Sequence, residues 1–297
     1  MTLIPLRGLD WLLTLVTILS SGWALAEEPP TLSWYRMQFA PIFIFTGEAR
    51  DQGFGDALLR ALAAKLPQYR HRFVAAPLER ALARTGEGHQ LDCVGALLRT
   101  SKREARMHFS EPFLNMPPNG AIIRANDWSR FEPFLNHGRL SLKRVLQAGT
   151  FAVGITNNRS YGSGVNALLA LYAGQPTVVI ERRGQGAGEA TLSALSARQG
   201  VDLAIAYPLE AAYWLKISRS PVPLYFLPIA EAPEVEEPRI ACSRTPQGEQ
   251  AIAAVNALLA DPAFRQNYLP AYRTWREQLI QLLPGASIPA DRSDSAQ

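Results

Sequence analysis

The sequence predicts an α/β protein made of two similar units, each a mainly parallel sheet flanked by helices. Three observations carry this expectation. Strand-like and helix-like patterns alternate in β-α-β-α-β order over about 32–98 and again over about 150–216, the alternation of an open sheet covered on both faces. At 297 residues with 47% hydrophobic content the chain can fill one large core or two modest ones. Its two cysteines, Cys93 and Cys242, stand on either side of the second series.

Residues 1–26 read as a secretory signal peptide. Arg7 precedes the apolar run Trp11 to Leu19, and Ala24-Leu25-Ala26 offers a cleavage site. An uncleaved membrane anchor is the alternative. No Cys follows the cleavage site, so a lipid anchor is not supported, and no later stretch approaches ~18 uninterrupted apolar residues. The net charge is only +4 and Arg and Lys are scattered, which points away from nucleic acid and anionic membrane surfaces.

The elements follow in order. Leu32 to Met37 is a strand, followed by the Pro-broken apolar run Phe39 to Ile44 and a turn region, Gly47 to Gly55. Asp56 to Leu66 is a helix with Leu58, Leu62 and Leu66 on one face. His71 to Ala75 is a strand, and Pro77 opens a helix over Leu78 to Arg84. Cys93 to Leu98 is a buried strand that breaks into Arg99-Thr100-Ser101-Lys102, where Thr100 or Ser101 can cap a helix bearing Arg103. Asn119 to Ala125 is extended, and Leu140 to Gln147 is a short helix. The second series has strands at Phe151–Ile155, Thr177–Glu181 and Val201–Tyr207, with helices at Val165–Tyr172, Glu189–Arg198 and Leu209–Lys216. Leu224 to Ile229 is extended, Arg239 to Cys242 is a strand, and Gln247–Leu259 and most of Asp261–Leu282 are helical.

In an oxidising compartment a lone cysteine pair is read as a disulfide, with two buried thiols as the alternative. A Cys93–Cys242 bond closes a loop of about 150 residues, worth roughly 5 kcal/mol in the chain-entropy model. It also returns the segment after 225 to the first unit. The second unit is then an insertion, with crossovers near 120–127 and 222–231 forming a two-strand hinge and a cleft at the strand C-termini. The expected domains are 27–122 plus 228–284 for the first lobe and 123–227 for the second. Residues 285–297 are expected to be a disordered tail.

A strand ending in hydroxyls, backbone N–H groups and a guanidinium can hold an anion. Here the residues resemble a known family. Gly88 to Asp92, Gly95, Thr100-Ser101-Lys102-Arg103 and Phe109-Ser110-Glu111-Pro112-Phe113 are similar to the "G-x-x-D … T-x-x-R … F-S-x-P-Y" run of the periplasmic solute-binding proteins of family 3, the polar amino-acid binding type. Gly53-Phe54-Gly55-Asp56 and Phe151-Ala152-Val153-Gly154-Ile155 also fit, and Cys93, Arg159-Ser160-Tyr161-Gly162 and Ala241-Cys242-Ser243 look like a divergent subgroup. The resemblance implies a two-lobed, type II periplasmic-binding-protein-like fold. It implies a monomer in the periplasm that closes on an amino acid or organic acid and presents it to a membrane permease of the ABC type. Arg103 would pair with a ligand carboxylate, helped by the backbone around Thr100. Ser160, Tyr161 and Gly162 would form the second lobe's cradle. Arg80 is a further candidate, with an ordinary surface Arg as the alternative.

Two departures bear on the ligand. Leu98 stands where the family has a Ser or Thr, and Tyr207 follows the strand that in the family leads to an Asp for the ligand ammonium. These changes point away from a standard α-amino acid and toward an anionic or aromatic ligand stacking on Tyr207, Tyr161 or Trp34. For each aromatic the alternative is lobe packing.

No catalytic signature emerges. His71, His89, His108 and His137 are isolated, so neither a metal nor a cofactor is expected. Gly184 to Gly188 lacks the full dinucleotide fingerprint and reads as a flexible loop. Glu48, Glu79 and Glu111 have no catalytic companion in the sequence. A non-enzymatic binding protein is expected. The alternatives are a sensor module serving a membrane receptor and, further off, a dehydratase-like enzyme on the same fold.

Overall fold

The computed structural model describes residues 28–175 and 177–286. The signal peptide expected at 1–26, and the expected tail from 287 onward, lie outside the described residues. Of the expected tail, Gly285 and Ala286 are placed, and they follow Pro284, whose carbonyl accepts from Phe226 N–H at 2.9 Å.

The first series comprises β1 (Thr31–Arg36), α1 (Phe54–Lys65), β2 (Arg70–Ala75), α2 (Leu78–Glu87), β3 (Asp92–Leu97), α3 (Ser101–Glu104) and β4 (Met107–Pro112). Next come β5 (Gly120–Arg124), the short α4 (Trp128–Phe131), the hairpin β6 (Leu135–Asn136) and β7 (Arg139–Leu140), and α5 (Leu142–Ala148). The second series is β8 (Val153–Thr156), α6 (Ser163–Leu171), β9 (Val179–Arg182), α7 (Ala187–Ser196), β10 (Leu203–Ala206), α8 (Pro208–Ser218) and β11 (Leu224–Leu227). The chain closes with β12 (Arg239–Ser243), α9 (Pro246–Leu259), α10 (Pro262–Arg265) and α11 (Leu269–Leu279). Pro77 is the cap residue of α2, one position before the helix it was expected to open.

Two five-stranded sheets result, ordered β2-β1-β3-β12-β4 and β11-β5-β10-β8-β9. In the first, β1 is parallel to β2 and β3, while β12 is antiparallel to β3 and β4, so β12 alone runs against the other four. In the second, β5 alone runs against the rest. Each sheet is therefore mainly parallel in direction, and each takes its reversed strand from outside its own series. That exchange joins the lobes twice.

The first crossover lies earlier than the sequence suggests. Strand β5 belongs whole to the second sheet, so a lobe boundary at 122 would cut it, and the linking segment is 113–119 in place of 120–127. The reason is burial: every residue of β5 is buried between β10 and β11. The return segment is 228–238, and the two linkers pair where Met116 and Glu236 exchange backbone hydrogen bonds of 2.8 and 2.9 Å.

Cys93 and Cys242 sit opposite each other on β3 and β12 and form a disulfide across 149 positions of sequence. Helix α11 touches both lobes. Trp275 donates its indole N–H to Gln52 O at 2.9 Å beside α1 and packs edge-on against Tyr213 of α8 at 5.4 Å. Among the described residues no helix is long and apolar enough to cross a membrane.

Candidate ligand-binding cleft

The parallel strands β1, β2, β3 and β8, β9, β10 end on the same cleft, and their outgoing loops form its walls. The cleft holds a cavity of about 70 Å3 that opens to solvent. Met37 to Phe39, Pro77, Ala96 to Leu98 and Arg103 line the first lobe's side. Thr156, Arg159, Ser160, Gly184 to Gly188, Tyr207 and Glu210 line the other. A crevice at strand C-termini is where open α/β sheets bind ligands, because helix starts and loop N–H groups converge there.

Local backbone devices aim these residues. The loop after β1 is pinned by buried Asp56, whose carboxylate accepts from Ile44 N–H and Gly53 N–H at 3.1 Å each and from Arg36 Nη1 at 2.6 Å. Burial nevertheless raises the Asp56 carboxyl above its ordinary pKa, against those bonds. In β3, Gly95 and Ala96 together face the single residue Ile240 of β12, which makes a bulge. Ala96 takes φ +58° there, and the turn sends Leu97 and Leu98 toward the cleft. Thr100 then caps α3, its Oγ1 accepting from Arg103 N–H at 3.3 Å.

Arg103 reaches across the cleft. Its Nη1 donates to Leu98 O at 2.7 Å, and its Nη2 donates to Asn158 O of the second lobe at 2.8 Å. Both acceptors are neutral carbonyls, and among the described residues it has no carboxylate partner within ion-pair distance. Burial pulls its pKa down to about 10, offset in part by Tyr207, so it remains a cation at neutral pH.

The second cationic side chain of the cleft, Arg159, is handled in the opposite way. Its guanidinium meets Glu210 through two contacts, Nη1 to Oε1 at 3.0 Å and Nη2 to Oε2 at 2.8 Å, and Nη2 donates to Asn119 Oδ1 at 2.7 Å. It lies over the rings of Phe39, Tyr207 and Tyr161 at 4.6, 5.0 and 5.1 Å. Desolvation opposes its charge, yet Glu210 and the two tyrosines outweigh this and raise its pKa. Glu210 also accepts from Tyr207 N–H at 3.3 Å, which fixes the start of α8.

Behind this pair lies a buried network at the hinge. Glu236 accepts from Asn119 Nδ2 at 2.9 Å and from the Tyr207 hydroxyl. Desolvation raises the Glu236 carboxyl above its ordinary range, and burial beside Glu236 holds the Tyr207 phenol well above its own. The lobes also meet where Gln38 Nε2 donates to Glu189 Oε1 at 2.7 Å. With its amide turned to suit both neighbours, Gln185 accepts from Gln38 N–H at 3.1 Å and donates to Ala76 O at 3.2 Å.

The structure brings Arg103, Ser160 and Tyr207 to the cleft wall. Thr100 is set back at the cap of α3. Tyr161 is buried beneath Arg159, its hydroxyl taken by Thr156 N–H at 2.7 Å. Gly162 caps α6 at φ +84° against Pro233, where a Cβ would lie 2.8 Å from the proline Cδ, so its role is to shape the loop. Two candidates are corrected. Trp34 is fully buried in the first lobe's core, its indole N–H donating to His71 Nδ1 at 3.0 Å, and no face of it reaches the cleft. Arg80 is exposed on α2 and does not line the cleft.

Sequence reasoning missed Gln38, Phe39, Gln185, Glu210 and the cleft-wall position of Arg159. The Gly184 to Gly188 segment, expected as a flexible loop, is a cleft wall with both backbone and Gln185 engaged.

No protein-family model matches the chain, and neither does any curated protein sequence. Solved structures do. An ancestral arginine-binding protein bound to arginine aligns with a TM-score of 0.62 at 15% identity, covering 83% of this chain and 98% of that one. A histidine kinase sensor domain with similarity to periplasmic binding proteins aligns at 0.61 and 13% identity, covering 86% and 97%. The substrate-binding protein of an amino-acid ABC transporter aligns at 0.60 and 14% identity, covering 84% and 99%. The chain has the two-lobed periplasmic-binding-protein fold. In this fold the paired linkers 113–119 and 228–238, which lead into the exchanged strands β5 and β12, make the hinge, and the cleft described above is the space between the lobes.

Proposed function

We propose that the protein is an exported, periplasmic solute-binding protein that captures a small carboxylate-bearing ligand between its lobes and presents it to an ABC-type membrane permease. The observation that carries this reading is Arg103: a half-buried guanidinium in the interlobe cleft whose two donors rest on neutral carbonyls. A carboxylate can replace those weaker acceptors with a bidentate, charge-assisted pair. Ser160 and the loop ends around it supply polar groups from the second lobe. Ligand binding then favours the closed arrangement, in which both lobes contribute contacts, and a membrane partner reads the closed shape.

A binding role without catalysis is supported by the state of the nearby carboxylates. Glu210 is committed to Arg159, and Glu236 to Asn119 and Tyr207, so neither is poised as a general acid or base. A sensor role is the second reading, favoured by the structural likeness to a kinase sensor domain. Co-purification with a permease or with a receptor separates the two.

The test is a thermal-shift screen of the mature protein against organic acids, aromatic acids and amino acids, followed by calorimetry. Arg103→Ala should weaken the carboxylate ligand by about 30-fold or more. Unchanged affinity in the folded variant overturns the site.

A further inference from the structure

The structure assigns to Arg159 the part of a tethered occupant: its guanidinium fills a cation site built from Phe39, Tyr161, Tyr207 and Glu210, and so shuts guanidinium- and ammonium-bearing ligands out of the cleft. The assignment rests on the cleft being the ligand site proposed above.

The site has the two components that bind a free organic cation. Three aromatic rings stand 4.6 to 5.1 Å from the guanidinium carbon, within the range where ring quadrupoles attract cations. A carboxylate meets both terminal nitrogens at 2.8 and 3.0 Å, the forked geometry a guanidinium selects. The cage opens onto the cleft, since Phe39, Arg159, Tyr207 and Glu210 all line it. One wall, Phe39, comes from the first lobe and the rest from the second, so the cage completes itself as the lobes meet. Gly188 makes room for it, because a Cβ there would overlap Glu210 Oε1.

Tethering makes the exclusion effective. Arg159 sits in the loop between β8 and α6, with Asn158 at φ +57° on one side and its own N–H donating to Thr156 O at 3.3 Å. A group held this way competes at the millimolar or higher effective concentration typical of intramolecular partners. A free cation must displace it and leave a buried guanidinium unpaired, which is strongly unfavourable. With Glu210 engaged, the cleft presents Arg103 as its unneutralised charge. The ligand it suits is an anion that carries no cationic group.

The assignment predicts two results in calorimetry and thermal shift. Wild-type protein shows no saturable binding of methylguanidinium or L-arginine. Arg159→Ala binds methylguanidinium and recovers thermal stability with it, and adding Glu210→Gln reduces that gain by about tenfold or more. If Arg159→Ala is unstable by itself, the same rescue is read as the yield of soluble protein refolded with and without methylguanidinium. Binding of L-arginine or methylguanidinium by wild type overturns the assignment, and so does the absence of rescue in Arg159→Ala. Failure of the carboxylate reading shows elsewhere, as wild type that binds no anion and an Arg103→Ala that changes nothing.

Discussion

The two lobes share one topology and use it for opposite electrostatic ends. In each, a central parallel strand runs into a helix start at the cleft: β3 into the four-residue α3, and β10 into the longer α8. The first lobe puts a cation at that point and, among the described residues, leaves it without a counter-ion. The second puts Tyr207 and Glu210 there, and Glu210 neutralises the lobe's own Arg159. One lip of the cleft thus carries a cation in reserve, and the other is internally satisfied. Equivalent backbone positions do not imply equivalent ligand contacts; the side chains decide which lobe holds a charge in reserve.

The lobes differ also in how their sheets are secured, and this gives the largest expected effect. In the first, the contact between β3 and reversed β12 is covalent, through Cys93 and Cys242. In the second, the matching contact of β10 with reversed β5 pairs Ala204 with Ile122 and rests on packing. Replacing both cysteines by Ser should cost up to about 5 kcal/mol of stability. Hydrogen exchange should show the loss concentrated at β3, β12 and β4, with β8 to β10 protected as before. An even loss over both lobes would show that they unfold as one unit, tied by α11.

Next is the contrast between the two arginines, which stability measurements separate by size. Glu210→Gln leaves Arg159 buried without its counter-ion and should destabilise by about 3–5 kcal/mol in denaturant unfolding. Arg103→Ala removes a half-buried charge whose acceptors among the described residues are carbonyls, and should stay within about 1 kcal/mol of wild type. Equal losses would mean that Arg103 has a structural role and would blur the distinction between the lips.

These comparisons show what the sequence made legible. Periodicity located the strands and long helices, because burial on one or both faces writes itself into local pattern. The disulfide was legible from the expected signal peptide and a lone cysteine pair. Arg103 was legible because its motif is contiguous. The cage was legible only in part: Tyr161 and Tyr207 stood out as aromatics, but Phe39 comes from the loop after β1, Arg159 from the loop after β8 and Glu210 from the first turn of α8, and the two that touch as an ion pair are 51 positions apart. Absence of the expected Asp after β10 was visible, but Glu210 one helical turn later, and the cation it serves, were not. Trp34 failed as a candidate for a related reason, since an aromatic's exposure depends on which sheet face it occupies and on what covers that face.

The hinge is where the two lips are joined, and it should respond to pH. Glu236 has a folded-state pKa above its ordinary 4.5, raised chiefly by desolvation. The folded protein therefore holds that proton more tightly than the unfolded chain. As pH falls from neutral through the raised value toward 4.5, wild type should gain stability relative to Glu236→Gln, and the gain should be complete below 4.5. Urea unfolding of both proteins across that window measures it. A difference that shrinks as pH falls would mean that the hydrogen bonds from Asn119 and Tyr207 outweigh burial.

The smallest effect is expected at Arg80, and it sharpens the claim that position in the cleft, not charge alone, makes Arg103 matter. Arg80 is exposed on α2, outside the lining residues. Its charge reaches an anion in the cleft only through solvent, where interactions beyond a Debye length of roughly 8–10 Å are screened at ordinary salt. Arg80→Ala should therefore leave the dissociation constant within about twofold. What it can change is the encounter rate at low ionic strength, since a surface cation steers an approaching anion. Stopped-flow association at two salt concentrations tests this: a modest slowing at low salt should vanish at high salt. A loss of affinity that persists at high salt would place Arg80 in contact with the ligand and require an arrangement of the lobes different from the one described.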